Sequence, residues 1–141
     1  MILADTGFWL ALANARDRHH TAAKRALDAL DEPLITTWSV MTETCHLLAS
    51  RLGERSARAF IDSGARGAFD IFELSSEHLP RISELMLRYA KLPMDLADAS
   101  LVVLAEELGT GRILSTDQRD FGAYRWKNHK PFQNLLILAP K

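Results

Sequence analysis

The sequence predicts one α/β domain built on a parallel sheet with helices over both faces. Three observations carry that expectation. Apolar runs at 1–4, 34–36, 112–115 and 135–138 are short and bounded by polar or turn residues, as buried strands are. The stretches between them place apolar residues at helical spacing. Strand and helix patterns alternate, and strands joined through helices pair in parallel under two covering layers.

Taken in order, "MILA" (1–4) reads as a buried strand ending at Asp5. From Gly7, the spacing of Phe8, Leu12 and Ala15 predicts a helix, with Trp9 and Leu10 on its flank. Asp17 is positioned to cap a second helix carrying Ala22, Ala26, Leu27 and Leu30, which Pro33 stops. "LIT" (34–36) is the second strand, and Thr37 or Ser39 starts a helix running to about Arg51. "ERSARAFIDSGA" predicts a further helix that ends at Gly64 and Gly67. "FDIFEL" (69–74) alternates as a strand does, and Ser76 then caps a helix with Leu79, Ile82, Leu85, Met86 and Tyr89. Beyond Pro93 a helix carries Leu96, Leu101, Val102, Leu104 and Ala105 as far as Gly109. "RILS" (112–115) and "LLIL" (135–138) complete the strands.

Composition narrows the class. At 141 residues, with neither an internal repeat nor a linker, residues 1–141 fit a single domain with a real core. A formal charge of -1 argues against a wholesale basic nucleic-acid binder and leaves room for a local basic surface. A single cysteine, Cys45, excludes an intrachain disulfide and suits a reducing cytoplasm. Histidines 19, 20, 46, 78 and 129 show no zinc-site spacing. "MILADTGFWLALANA" ends in a small-residue triplet like a signal-peptide cleavage site, but no Lys or Arg precedes Arg16 and Asp5 interrupts the apolar run. No stretch is long enough for a membrane span, so a soluble, cytoplasmic protein without membrane attachment is expected.

The informative residues are acids in apolar surroundings. Ligands of parallel α/β sheets bind beyond the carboxyl ends of the strands, and a buried carboxylate is costly unless something compensates it. Asp5 ends the first strand; Asp117 follows "RILS" in the same way, with Asp120 three residues on. Glu43 shares a helix face with Val40 and Leu47. Asp98 has Met94 one turn earlier and Leu101 and Val102 one turn later. Each has a plain alternative: Asp5 as a helix cap, Glu43 at a stripe edge reaching solvent, Asp98 in a first turn and Asp117 in a loop. Asp95 is the better placed of the two acids for capping its helix. Taken together, four carboxylates from four segments point at one edge of the sheet, where their repulsion calls for a divalent cation. Oxygen-only ligands point to Mg²⁺ or Mn²⁺. Such a site suits hydrolysis of a phosphodiester, in which an ion acidifies water and stabilises charge during in-line attack.

The ordered pieces "ILADTGFWLAL", "TTWSVMTETCHLL", "LPMDLADASLVVLAEELG" and "RILSTDQRDFGAYR" resemble the PIN-domain nucleases, most closely the small VapC-like toxins of type II toxin–antitoxin systems. The resemblance spans Met1 to about Pro140. It implies a three-layer α/β/α domain with a central, mainly parallel sheet. It also implies a catalytic metal site made of Asp5, Glu43, Asp98 and Asp117, supported by Thr6, Thr116 and Asp120. The implied activity is Mg²⁺- or Mn²⁺-dependent endoribonuclease action, with a cognate antitoxin as partner and a homodimer as the assembly. A non-toxin PIN protein, serving as a housekeeping RNA-processing nuclease or an RNA-binding module, is the alternative.

An RNA substrate calls for basic groups near the acids. Arg112, Arg119, Arg125, Lys127 and Lys130 are the candidates, with Tyr124 and Trp126 as bases' stacking partners; an ordinary solvated face accounts for the same charges. Arg51, Arg55, Arg58 and Arg66 read as a helix surface or an antitoxin contact. Two other enzyme or signalling classes fail on their own requirements. Asp5-Thr6-Gly7 matches an aspartic-protease tripeptide, but only one copy occurs and a helix follows it. A phosphoacceptor receiver needs a Lys after a late strand, which "RILSTD" lacks.

Overall fold

A computed structural model describes residues 1–136. In chain order the elements are β1 (Ile2–Ala4), α1 (Thr6–Ala13), α2 (His20–Ala29), β2 (Leu34–Thr37), α3 (Trp38–Leu52), α4 (Glu54–Ala65) and β3 (Asp70–Phe72). A 3₁₀ turn at Ser76–His78 leads into α5 (Leu79–Arg88), followed by α6 (Leu96–Leu108), β4 (Arg112–Leu114) and α7 (Gln118–Ala123). Three two-residue strands close the described chain: β5 (Arg125–Trp126), β6 (Lys130–Pro131) and β7 (Gln133–Asn134).

The main sheet has the order β3-β2-β1-β4-β7, and every pairing in it is parallel. All five strands therefore open their carboxyl ends on one edge. Ile2, Leu3 and Ala4 are fully inaccessible, because helices cover both faces of the sheet and leave no solvent side to alternate toward. The result is the three-layer α/β/α architecture expected from the sequence.

α6 is the buried helix of the set. Ala97, Ala99, Ser100, Leu101, Val102, Val103, Leu104 and Ala105 are all buried, so apolar residues run around the helix instead of along one stripe. Asp95 caps its start and Gly109, at φ 70°, closes its end in the left-handed conformation. Thr37 Oγ1 and Ser100 Oγ share a hydrogen bond of 2.7 Å, which ties the end of β2 to this helix. On the other side of the molecule Trp9, Phe60 and Phe69 form an aromatic cluster with centroids 4.8–5.3 Å apart, locking α1 to α4.

Several local expectations shift. Asp17 does not cap α2; its Oδ1 accepts the His19 N–H at 2.8 Å in a turn that precedes the helix. A 3₁₀ turn, opened by Ser75 rather than Ser76, precedes α5, and the Ser75 N–H donates to His78 Nδ1 at 3.0 Å. The last parallel strand lies at Gln133–Asn134 instead of beginning at Leu135, while Ile137 and Leu138 lie outside the described residues. The β5–β6 hairpin has no counterpart in the sequence reading. Its turn places Lys127 and Asn128 at φ 49° and 68°. Contacts to the helices hold it there: Glu106 Oε2 accepts the Lys127 N–H at 2.6 Å, and Asn128 Oδ1 accepts Arg81 Nη2 at 2.9 Å.

Candidate metal site at the carboxyl edge of the sheet

Asp5 follows β1 directly and is the N-cap of α1. Its Oδ1 accepts the Thr6 N–H at 2.7 Å and its Oδ2 accepts Ser115 Oγ at 2.9 Å. Only 6 % of the residue is exposed. Asp117 follows β4 and is the N-cap of α7, accepting the Asp120 N–H at 3.0 Å. Ser115 joins the two strand ends, because its Oγ also accepts the Asp117 N–H at 3.0 Å. Asp98 lies half-buried in the first turn of α6, where its Oδ2 accepts the phenol of Tyr124 at 2.8 Å. Asp95 accepts the Asp98 N–H at 2.8 Å and serves as the cap of α6. Glu43 is half-buried on α3 and makes no side-chain hydrogen bond among the described residues.

Burial pushes the Asp5 carboxyl up to about 6; bonds from Ser115 and Thr6 act against that, and the charges of Glu43 and Asp117 add to it. Asp98 is pushed up to about 8 by desolvation first, opposed by the Tyr124 hydrogen bond and reinforced by Asp5, Asp95 and Asp117. Asp117 is raised as well, chiefly by burial and further by the neighbouring Asp120 carboxyl. Tyr124 is held well above its ordinary value by its own burial and by Asp98, so the phenol is a permanent donor. Acids from α1, α3, α6 and α7 thus share one electrostatic field.

As the side chains stand, no three His, Cys, Asp or Glu residues converge tightly enough to hold an ion among the described residues. Asp5 has both oxygens engaged by protein donors and Asp98 and Asp117 one each, and all three keep further lone pairs. The donor set is nevertheless suited to a hard divalent cation: all oxygen, negatively charged and partly desolvated. A further sign is the Thr6 hydroxyl, buried beside Asp5 with no hydrogen-bond partner among the described residues.

The supporting residues divide differently from the sequence reading. Ser115, which that reading passed over, makes the hydroxyl contact to Asp5. Thr116 instead packs on α1: a Cβ added to Gly7 would lie 1.9 Å from Thr116 Oγ1, so Gly7 permits this close approach. Asp120 is 6 % exposed and pairs with Arg119 Nε at 2.8 Å. The signal for Ser115 was its place immediately after an apolar strand and two residues before Asp117.

The basic residues are less uniform. Arg119 is close to the acids and its side chain is 73 % exposed. Arg112 begins β4, at the opposite edge of the sheet from Asp5, and pairs with Glu32. Arg125 turns its Nη1 onto the carbonyls of Gly122, Ala123 and Tyr124, which end α7. Lys127 and Lys130 place their ammonium groups 5.7 and 4.9 Å from the Trp126 ring centroid. Tyr124 and Trp126 are buried, which corrects the expectation that they stack on bases. Both belong to the core that seats the hairpin.

A parallel three-layer domain with acids gathered at its carboxyl edge is the architecture of a PIN domain, and the PIN-domain family model matches residues 2–127: the chain belongs to that family. PIN-domain nucleases generally use divalent metal ions. Among relatives, ribonuclease VapC26 of Mycobacterium tuberculosis is 28% identical over 124 residues, covering 88% of this chain and 92% of its own. The 23S rRNA-specific endonuclease VapC20 of the same organism is 28% identical over 131 residues, covering 93% of this chain and 99% of its own. The crystal structure of M. tuberculosis VapC20, described as a sarcin–ricin loop cleaving toxin, superposes with a TM-score of 0.79 at 25% identity, covering 84% of this chain and 92% of that one. No described helix is long and apolar enough to cross a membrane.

Proposed function

We propose that this protein is a Mg²⁺- or Mn²⁺-dependent endoribonuclease, the toxin of a toxin–antitoxin pair, with Asp5, Glu43, Asp98 and Asp117 as its metal-binding and catalytic acids. The observation that carries this reading is the burial of acids at one sheet edge, which raises Asp5, Asp98 and Asp117, with the charge of Asp117 adding to the rise of the other two. The names of the relatives agree with it, since both are called RNA-cleaving enzymes.

A divalent cation bound there would supply Lewis-acid stabilisation of phosphate charge and acidify water at the site. Asp5 and Asp98 would hold that ion from a strand end and a buried helix, two rigid supports. Glu43, which makes no side-chain hydrogen bond among the described residues, would be available there as a general base toward water. Arg119 lies on the exposed side of the site, where it meets a phosphate of the RNA. A cognate antitoxin restrains the enzyme, and a homodimer is the assembly.

Purified protein should cleave RNA with Mn²⁺ or Mg²⁺ and stop on chelation. Asp5→Asn and Asp98→Asn should each abolish cleavage with the circular dichroism spectrum intact. Cleavage at the wild-type rate in both variants would overturn the assignment of these acids. Growth arrest on expression, relieved by a small co-encoded neighbour, separates a toxin from a housekeeping nuclease, and light scattering tests the dimer. Sequencing the ends generated in cellular RNA would identify the target.

A further inference from the structure

We propose that Tyr124 is a positioning residue for Asp98: its buried phenol fixes one carboxylate oxygen so that the other stays turned toward a divalent cation. The inference rests on the metal-site reading above and adds to it a residue outside the acid set.

Tyr124 is fully buried, the bulkiest of the side chains that are. Its ring is wedged edge-on between Tyr89 and Phe121, with centroids 5.0 and 5.1 Å away. A buried phenol requires a partner, and Asp98 Oδ2 at 2.8 Å is the one it has among the described residues. The ring cannot swing away, so the hydroxyl is a fixed point.

The backbone around it is fixed as well. The Tyr124 N–H donates to Asp120 O at 2.9 Å, and the Arg125 N–H donates to the Tyr89 phenol at 3.0 Å. Farther along, Glu106 accepts the Lys127 N–H at 2.6 Å and Arg81 Nη2 at 2.7 Å, anchoring the hairpin to α6. Asp98 and Glu106 stand on the same helix, about 12 Å apart along its axis at 1.5 Å per residue. One helix therefore carries both the acid and, at Glu106, the anchor of the hairpin that follows Tyr124.

Asp98 needs such a brace. Asp5, Asp95 and Asp117 surround it with like charge, and an unheld carboxylate in a first helical turn would rotate toward solvent. Hydrogen-bond partners of ligating carboxylates typically govern metal affinity by about 10–100-fold.

The test is isothermal titration of Mn²⁺ into RNA-free protein. Tyr124→Phe, which keeps the ring and its packing, is expected to weaken Mn²⁺ binding about tenfold or more. Tyr89→Phe removes the hydroxyl that accepts the Arg125 N–H without touching Asp98, so it loosens the same backbone and should lower the melting temperature while costing far less Mn²⁺ affinity than Tyr124→Phe. Asp98→Asn should weaken binding strongly, and Tyr124→Phe added to it should have no further effect. Thermal melts of the metal-free proteins report the fold separately. Equal losses of affinity in Tyr89→Phe and Tyr124→Phe would make the role structural and overturn the proposal. Wild-type affinity in Tyr124→Phe, with Asp98→Asn impaired, would overturn it while sparing the metal site. Wild-type affinity in Asp98→Asn would overturn the metal-site reading itself.

Discussion

Ser115 Oγ donates to Asp5 Oδ2 at 2.9 Å, and so joins the end of β4 to the end of β1 across the edge where the acids collect. The same hydroxyl accepts the Asp117 N–H at 3.0 Å. One small side chain thereby sets the spacing of two carboxylates from different strands. Asp5 needs that donor, since burial works against its charged form and the bond from Ser115 is the largest influence in favour of it.

Replacing Ser115 by Ala should lower Mn²⁺ affinity by about 10–100-fold, the usual effect of losing a partner of a ligating carboxylate. Metal-free, the Asp5 carboxyl should titrate higher than in the wild type. Thr116→Ala, one residue on, should leave both quantities unchanged, because Thr116 packs against Gly7. Calorimetry with Mn²⁺ and carboxyl NMR titrations read the two effects. Equal affinities in Ser115→Ala and wild type would show that this bond only shapes the loop.

The sign of the pH dependence follows from the direction of the shifts. Asp5, near 6, and Asp98, near 8, hold protons in the folded chain that they release at about 4 when unfolded. Their contribution to metal-free stability is fully present below the unfolded value of 3.8 and is lost as pH rises through the folded values. Melting temperatures of metal-free protein should therefore fall between about pH 4 and 8, and Asp98→Asn should flatten the upper part of that fall. Excess Mn²⁺ binds the deprotonated set, so its stabilisation should grow across the same interval. A metal-free wild type whose melting temperature rises throughout that range, in parallel with Asp98→Asn, would contradict the shifts.

Asp5, Asp98 and Asp117 were legible because a carboxylate at a strand end or among buried helix residues breaks the apolar pattern. The central strands β1, β2 and β4 were legible for the converse reason: strands covered on both faces read as apolar runs. Ser115 was not, since a serine closing a strand looks like the start of any loop. Tyr124 was misread because an aromatic among arginines resembles a base-stacking residue, and only its burial reveals the bond to Asp98. Two-residue strands such as β5 and β6 carry no measurable alternation, so the hairpin depends on tertiary anchors, Glu106 and Arg81, that lie 21 residues or more away in sequence.

Gly7 offers a test of packing against propensity. It is the second residue of α1, where Ala would normally favour the helix by up to about 1 kcal/mol. An added Cβ, however, would lie 1.9 Å from Thr116 Oγ1 and 3.1 Å from its Cβ. The clash should dominate, and Gly7→Ala should destabilise the fold by about 1–3 kcal/mol. Thr116→Ala removes the worst contact and should recover part of the loss in the double variant, as read from urea unfolding. Independent, additive effects would show that the two residues do not meet.

Arg119 and Arg112 separate the two meanings of a basic sequence. Arg119 sits on α7 beside Asp120, mostly exposed and close to the acids, whereas Arg112 starts β4 at the far edge and is tied to Glu32. A phosphate contact contributes through counterion release, so its loss should show in the salt dependence of binding. With catalytically silent Asp98→Asn protein and single-stranded RNA, Arg119→Ala should weaken binding and reduce the slope of log K against log salt by about 0.7, the value of one neutralised phosphate. Arg112→Ala should leave that slope unchanged and instead lower the melting temperature slightly, because it removes one of the two partners of Glu32, the other being the Met1 amino group. A reversal of the two, with the slope changing for Arg112 and not for Arg119, would move the RNA path to the opposite edge of the sheet, away from the acids.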